Sequence, residues 1–197
     1  MSKLNVDQKA IIDLLSDKKA DFLIPDYQRP YAWSEEQCQT LWDDIFLFSF
    51  PDNNYEAFDD NEEYFLGSIV TYKNEKVKSE VIDGQQRLTT LMLILRAFYD
   101  KFESMKDKNS ILTRDRIEKC IWKTDTFGTA DKNTLKIDSE VATDNDKDEF
   151  LELLRTGVVK KGSKSQYVLN YQFFQKKIDE FLQEFPSFFP YLPARIL

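Results

Sequence analysis

The stretch of sequence that decides the fold is VIDGQQRLTTL, residues 81–91. A short segment rich in β-branched residues ends at Asp83, Gly84 interrupts it, and an apolar helical pattern begins at once. Glycine lets the backbone turn sharply and lets a ligand approach it closely. The pattern therefore predicts a strand that passes through a tight turn into a long central helix over residues 85–105.

The same turn is suited to binding phosphate. The first N–H groups of a helix have no partner inside the helix, and the helix dipole favours an anion beside them. Arg87 could add a bidentate contact to phosphate, and Asp83 could hold Mg²⁺. Gln85 or Gln86 could orient a water for attack. The structural alternative is that Asp-Gly forms an ordinary turn and that the polar helix start is simply solvated.

A second motif, IPDYQRPYAW, spans residues 24–33, and its two prolines stiffen a loop. The loop carries side chains that suit stacking on a base and hydrogen bonding to its edge: Tyr27, Gln28, Arg29, Tyr31 and Trp33. The alternative is that Tyr31 and Trp33 pack in the core and that Arg29 pairs with a carboxylate. Packing is favoured for Trp33, and function is favoured for Gln28 and Arg29, whose side chains suit a core poorly.

The remaining pattern predicts an α+β domain with a small sheet and a mainly helical second half. Residues 64–73 and 76–83 are expected to form a strand hairpin, with Gly67 at a close approach inside the first strand. Residues 51–63 are expected to form an acidic solvated loop, and residues 135–138 a short strand. Helices are predicted at 5–17, 34–48, 112–122, 146–155 and 170–185. Residues 1–110 would form the core and residues 111–197 a helical extension of the same domain.

Composition excludes several reaction classes. The chain has 197 residues, no histidine, two cysteines and a net charge of −8. Without histidine there is no Ser-His-Asp or Cys-His site and no HNH nuclease centre within these residues. The sequence also lacks the G-x-x-x-x-G-K-[ST] pattern, so the phosphate turn is not a P-loop.

Charge and cysteine usage indicate the setting of the protein. Residues 1–66 hold 15 acids and 5 bases, a balance of −10, whereas the remainder holds 20 acids and 22 bases, a balance of +2. Overall acidity therefore leaves room for an anion site in the second part. The two cysteines are far apart in sequence and favour a reducing, cytoplasmic location. The longest apolar run, residues 88–95, is too short to span a membrane, so no membrane partner is expected.

Taken in order, IPDYQRPYAW, FLGSIV, VIDGQQRLTTL and the NYQFF helix resemble the N-terminal domain of the GmrSD family of type IV restriction enzymes. That family is similar in turn to the bacterial ParB and sulfiredoxin-like nucleotide-binding fold. The resemblance implies an α+β core with a small mixed sheet, a central helix after the DGQQR turn and a helical C-terminal part. Gln stands where a sulfiredoxin-like cysteine would be, so thiol chemistry is not expected.

The resemblance also implies a function. The turn formed by Asp83, Gly84, Gln85, Gln86 and Arg87 would bind the phosphates of an NTP (GTP, UTP, CTP or ATP) and support its hydrolysis, with Mg²⁺ at Asp83. Tyr27, Gln28 and Arg29 would lie at the same cleft or help to sense DNA, with Tyr31 as a further DNA or base contact. The expected partners are modified phage DNA and a C-terminal nuclease domain or subunit, and a homo-oligomer is possible.

Two other classes of function stay open at the level of sequence. The domain could be a non-enzymatic DNA-recognition module, or an assembly domain that joins partners through its aromatic C-terminal helix. The apolar end, FPSFFPYLPARIL, suggests a piece of a longer protein, with any nuclease domain outside residues 1–197.

Overall fold

The computed structural model describes residues 6–54, 57–59, 61–73, 75 and 78–196. Within these ranges the chain forms seven α-helices: α1 (Ile11–Ser16), α2 (Glu35–Ser49), α3 (Gln85–Glu103), α4 (Lys108–Ile121), α5 (Lys147–Thr156), α6 (Gln166–Glu184) and α7 (Tyr191–Ile196). Its strands are β1 (Phe22–Ile24), β2 (Val70–Lys73), β3 (Ser79–Asp83), β4 (Trp122–Thr124), β5 (Ala130–Leu135) and β6 (Ile137–Ser139).

The main sheet is mixed and has the strand order β2-β3-β1-β6. β1 runs parallel to both β3 and β6, with Phe22 opposite Ser79 on one side and Ile137 on the other. β2 pairs antiparallel with β3, as the predicted hairpin requires. Because β1, β3 and β6 are parallel, their carboxyl ends lie on one edge of the sheet.

Helix α3 is the centre of the domain, as its apolar pattern predicts. It packs against α4 and α6, and its residues from Leu88 to Tyr99 are buried on every face of the helix. β1 is buried along its whole length. A helix with no polar face is expected only where neighbours cover it on all sides.

The aromatic stripe of α6 lies inside this same core. Its buried side chains include Tyr167, Tyr171, Phe174, Ile178 and Phe181. These five side chains are therefore not exposed for joining partners, whereas Leu169 on the same helix is exposed.

Several element boundaries differ from the sequence prediction. The first hairpin strand begins only at Val70 and not at residue 64, because Gly67 takes a φ of +103° that no regular strand allows. α4 begins at Lys108, earlier than predicted, since the Asp107 carboxylate accepts a hydrogen bond from the Ser110 N–H at 2.9 Å and caps the helix. The β4–β5 hairpin is not predicted by the sequence pattern.

Other local predictions are confirmed. α2 begins with the expected capping box, in which the Ser34 N–H donates to Gln37 Oε1 at 2.7 Å. The predicted short strand near residue 137 is β6, and it joins the main sheet beside β1.

Some predictions fall partly outside the described residues. Residue 5 of the first predicted helix, residues 55, 56 and 60 of the acidic loop, and residues 74, 76 and 77 of the predicted hairpin lie there. In the part of the chain that the structure does describe, no helix has both the length and the apolar character needed to cross a bilayer.

Candidate functional site

The carboxyl edge of the parallel strands brings the two sequence motifs together. β1 leads into the IPDYQRPYAW loop, and β3 leads through Gly84 into α3. Gly84 has a φ of +85°, and a Cβ there would lie 2.7 Å from the Ser68 carbonyl oxygen. Only glycine suits both this left-handed conformation and this close approach. Ser68 therefore lies directly against the turn that begins α3.

Gln86 fastens the loop to the start of α3. Its Nε2 donates to the Pro30 carbonyl at 3.1 Å, and its Oε1 accepts from the Ala32 N–H at 2.8 Å. The residue is buried, and the loop backbone is hydrogen-bonded to both ends of its amide. Gln86 therefore holds the loop in position.

Gln85 makes a similar contact at one end only. Its Nε2 donates to the Arg29 carbonyl at 2.7 Å. Its Oε1 is buried and has no hydrogen-bond partner among the described residues. Since buried polar atoms in native proteins are nearly always hydrogen-bonded, this oxygen is a free acceptor at the site.

Gln28 joins the loop to β3. Its Nε2 donates to the Ile82 carbonyl at 3.0 Å and to the Val81 carbonyl at 3.3 Å. Three glutamines from the two motifs thus connect the loop, the strand end and the helix start. This gives Gln28 a positioning role in the site that the sequence motif alone does not reveal.

Tyr31 is buried under the loop and does not face solvent. Its hydroxyl lies 2.8 Å from Thr90 Oγ1 and accepts from Asn170 Nδ2 at 2.9 Å. Its ring stacks on that of Tyr167, with the centroids 4.7 Å apart. Burial holds the pKa of the Tyr31 hydroxyl far above its ordinary value. The packing alternative fits this placement, because a buried ring cannot stack on a base.

Trp33 is also placed by packing. Its side chain is half-buried against the core, and its carbonyl accepts from Asn170 Nδ2 at 2.7 Å. Packing, the alternative favoured for Trp33 from the sequence, is confirmed.

Other side chains of the two motifs face outward. Tyr27 is 64 % exposed, and Arg29 and Asp83 are exposed as well. Among the described residues no carboxylate forms an ion pair with Arg29, so the pairing expected as its structural alternative is not found. These groups are available to a ligand at the edge of the sheet.

The Arg87 side chain is partly bonded to the protein and partly available to a ligand. Its Nη1 donates to the Ser68 carbonyl at 2.8 Å, and a Cβ on Gly67 would come within 2.6 Å of its Cζ. Gly67 therefore makes room for the guanidinium. This single hydrogen bond uses one of the five N–H donors of the side chain.

The residues of the site fit a magnesium ion only if a bound phosphate shares it. The described residues contain no group of three or more acidic, cysteine or histidine side chains that could hold a metal. Mg²⁺ is commonly bound through one or two carboxylates together with substrate phosphates. Asp83, one residue before the helix turn, suits a metal shared with a phosphate and not one held by the protein alone.

The structure adds site residues that the motifs do not contain. Ser139 ends β6 and lines a small pocket together with Arg29, Gln85 and Gln86. Asn170, on α6, supplies the hydrogen bonds that position Tyr31 and Trp33. Both are far from the motifs in sequence, and no local pattern could have identified them.

The family described as GmrSD restriction endonuclease, N-terminal domain, matches residues 11–194. The chain belongs to this family. The match covers both motifs and all the strands of the sheet, so the domain as a whole carries the relationship. No curated protein matches the sequence. Membership of the GmrSD N-terminal family makes this a restriction-associated defence protein. The family's description also implies that the nuclease part of such proteins lies in a separate region.

Proposed function

We propose that this GmrSD N-terminal domain binds an NTP at the carboxyl edge of its sheet and hydrolyses it with Mg²⁺. In this proposal it is a regulatory domain of a restriction protein that responds to modified DNA, and its core is of the ParB and sulfiredoxin-like type. The observation that carries the proposal is the convergence of the two motifs at the start of α3, beside Gly84. Ligands of open α/β sheets bind in the same place, beyond the carboxyl ends of the strands.

Phosphate binding is supported by the way α3 begins. No side chain caps the helix at Gly84, and the Leu88 N–H is the one that returns to the Gly84 carbonyl. The N–H groups of Gln85, Gln86 and Arg87 precede that bond and therefore have no partner within the helix. Arg29 and Arg87 would add positive charge on either side of a phosphate chain.

Hydrolysis needs a positioned water, and the two glutamines of the motif are not equivalent for this purpose. Both ends of the Gln86 amide are occupied by the loop, whereas Gln85 retains a free Oε1. Gln85 is therefore the residue that we assign to water positioning, and Gln86 is assigned to holding the loop. Asp83 would hold Mg²⁺, which would neutralise charge on the phosphates as the leaving group departs.

The test is phosphate release and nucleotide binding with ATP, GTP, CTP and UTP in the presence of Mg²⁺. We expect Arg87→Ala to weaken binding at least tenfold and Asp83→Asn to abolish most of the release. Arg116→Ala is the matched control, because Arg116 is exposed on α4 and belongs to neither motif. Equal release by the wild type and both site variants, all folded, would overturn the proposal, as would a folded wild type that binds none of the four nucleotides.

A second candidate function is DNA recognition without nucleotide chemistry. It is favoured by the 64 % exposure of Tyr27 on a loop that Gln28 and Gln86 hold in place, next to the exposed Arg29. An exposed aromatic ring on a rigid loop suits stacking on an unpaired base. In that case Tyr27→Ala would weaken DNA binding more than Asp83→Asn does, and the binding would fall steeply with salt and ignore NTP.

A further inference from the structure

The pocket beside the start of α3 contains two unsatisfied oxygens. Gln85 and Ser139 both line it, and each residue is 6 % exposed. Gln85 Oε1 and Ser139 Oγ are buried and have no hydrogen-bond partner among the described residues. Because buried polar atoms are nearly always hydrogen-bonded, two unpartnered oxygens on residues that line one pocket point to a group bound there.

The chemistry of the two oxygens limits what that group can be. An amide oxygen only accepts hydrogen bonds, whereas a serine hydroxyl can donate or accept. A phosphate oxygen is also an acceptor at neutral pH and cannot satisfy Gln85 Oε1. The group in the pocket must therefore carry at least one hydrogen-bond donor.

The size and position of the pocket narrow the choice further. Its free space for the centre of a water molecule is about 10 Å³, which is room for about one water. Arg29, whose side chain is exposed, lies on its wall. A phosphate bound at Arg29 would leave room in the pocket for a small group such as water.

We infer that Gln85 Oε1 and Ser139 Oγ together hold the water that attacks the terminal phosphate, which makes Ser139 a second water-positioning residue. This inference rests on the proposed NTP hydrolysis. A water that donates one hydrogen to each oxygen directs a lone pair away from both of them. Its reactive side can then face a phosphate at Arg29.

The step is the hydrolysis of the terminal phosphoanhydride. The water oxygen forms a bond to the γ-phosphorus, and the bond from that phosphorus to the bridging oxygen breaks. The NDP leaves with the electron pair. The residues lining the pocket include no carboxylate and the chain has no histidine, so the proton of the water passes to an oxygen of the released phosphate.

The test compares Ser139→Ala with Ser139→Thr, which keeps the hydroxyl, and with Ser49→Ala. Ser49 is the matched control, because it too is buried with an unpartnered Oγ but does not line this pocket. The measurements are the Kd for each NTP with Mg²⁺, the kcat of phosphate release and the Tm. The Tm identifies any variant whose fold has suffered.

For Ser139→Ala we expect kcat to fall about tenfold, the effect of losing one hydrogen bond, with Kd within twofold of the wild type. The Tm should be unchanged or higher, because the substitution removes a buried polar atom that has no protein partner. Ser139→Thr should retain most of the activity, and Ser49→Ala should match the wild type.

Three results would overturn the inference. An unchanged kcat in Ser139→Ala would show that Ser139 does not hold the water. A Kd that weakens as much as kcat falls would show that the pocket binds part of the nucleotide instead. A wild type that binds NTP but releases no phosphate would remove the proposed hydrolysis itself, and the inference with it. The first two leave the proposed function standing.

Discussion

The two ends of α3 each carry a polar cluster, and the clusters differ in kind. At the N-terminal end, Gln85, Gln86 and Thr90 bond to the IPDYQRPYAW loop through neutral amides and hydroxyls. At the C-terminal end, Arg96 Nη2 lies 2.6 Å from Asp100 Oδ1, and the Tyr171 hydroxyl donates to the same carboxylate. One cluster is neutral and lies at an open edge of the sheet, and the other is charged and covered.

The C-terminal cluster is mostly covered, with the Arg96 side chain 5 % exposed and that of Asp100 21 % exposed. The Arg96 guanidinium lies 5.0 Å from the ring centroid of Tyr99 and 5.1 Å from that of Trp122. A Cβ on Gly157 would come within 2.4 Å of Arg96 Nη2, so the C-terminus of α5 packs directly on the pair. Burial raises the pKa of Asp100, and Arg96 acts in the opposite direction.

The difference shows which buried polar group points to a ligand. Arg96 Nε also lacks a hydrogen-bond partner among the described residues, but aromatic rings cover its guanidinium. Gln85 Oε1 lacks a partner beside a pocket and an exposed arginine. The first turn of α3 also holds no acidic residue, and the positive end of the helix dipole there favours an anion.

The largest expected effect is on stability at the C-terminal end. Asp100→Ala should lower the free energy of unfolding by about 3 to 5 kcal/mol, because it leaves Arg96 as an unpaired buried charge. Nucleotide binding by the folded fraction should not change. The exposed pair of Lys101 and Asp179 supplies the control, since Asp179→Ala should cost about 1 kcal/mol or less. Denaturant unfolding measures both, and equal losses would show that the Arg96 pair is not buried as described.

A smaller loss of stability is expected at the N-terminal end, together with a loss of binding. Gln86→Ala should cost about 2 to 3 kcal/mol, because the Pro30 carbonyl and the Ala32 N–H lose their partner. The loop would loosen, and nucleotide affinity should fall. Gln39→Ala on the surface of α2 is the control, with no change in binding expected. A Gln86→Ala protein with unchanged affinity would contradict the positioning role.

One substitution made at both ends provides the most direct comparison. Tyr31→Phe and Tyr171→Phe each remove a hydroxyl from a buried ring, and each should cost about 1 to 2 kcal/mol. Only Tyr31→Phe should also weaken nucleotide binding, since Tyr31 connects Thr90 and Asn170 beneath the loop. Chemical denaturation and nucleotide titration of the two variants check this. Equal effects on binding would mean that the two clusters do not differ in function.

Alkaline pH should destabilise the protein through two buried thiols. Each thiol should lower the free energy of unfolding by up to about 1.4 kcal/mol per pH unit. Burial raises the pKa of Cys38 from 9.0 to about 11 and that of Cys120 from 9.0 to about 12. A raised folded-state pKa gives stability that is fully present below pH 9 and is lost as the pH rises towards these values. Cys38→Ala and Cys120→Ala should each flatten the decline above pH 9 in urea unfolding. Buried Lys136, whose pKa is lowered, contributes with the opposite sign. Because the charge of Cys120 acts on the pKa of Lys136, Cys38→Ala is the variant that leaves this contribution unchanged. A decline as steep in both variants as in the wild type would exclude the thiols as its source.

Local patterns predicted most of the helices and the turn that begins α3. Ser34 and Gln37 predicted the start of α2, and the apolar run from Leu88 predicted a central helix. These features depend on residues a few positions apart, which is why a sequence contains them. The prediction that the first hairpin strand begins at residue 64 was wrong. Gly67 takes a positive φ and lies against the guanidinium of Arg87, which is 20 positions away in the sequence.

The sequence by itself determined the DGQQR turn, the stiff loop and the absence of imidazole chemistry. Residue types, glycine and proline positions and short spacings are sufficient for these. Only the tertiary structure decided which motif residues hold the loop and which remain available to a ligand. Gln86 and Gln85 are neighbours of one type, yet the loop uses both ends of one amide and a single end of the other. That distinction depends on which strands lie side by side, as does the meeting of Gln85 and Ser139 at one pocket. The pairing of β6 with β1 joins segments more than one hundred residues apart, which no local pattern in the sequence can predict.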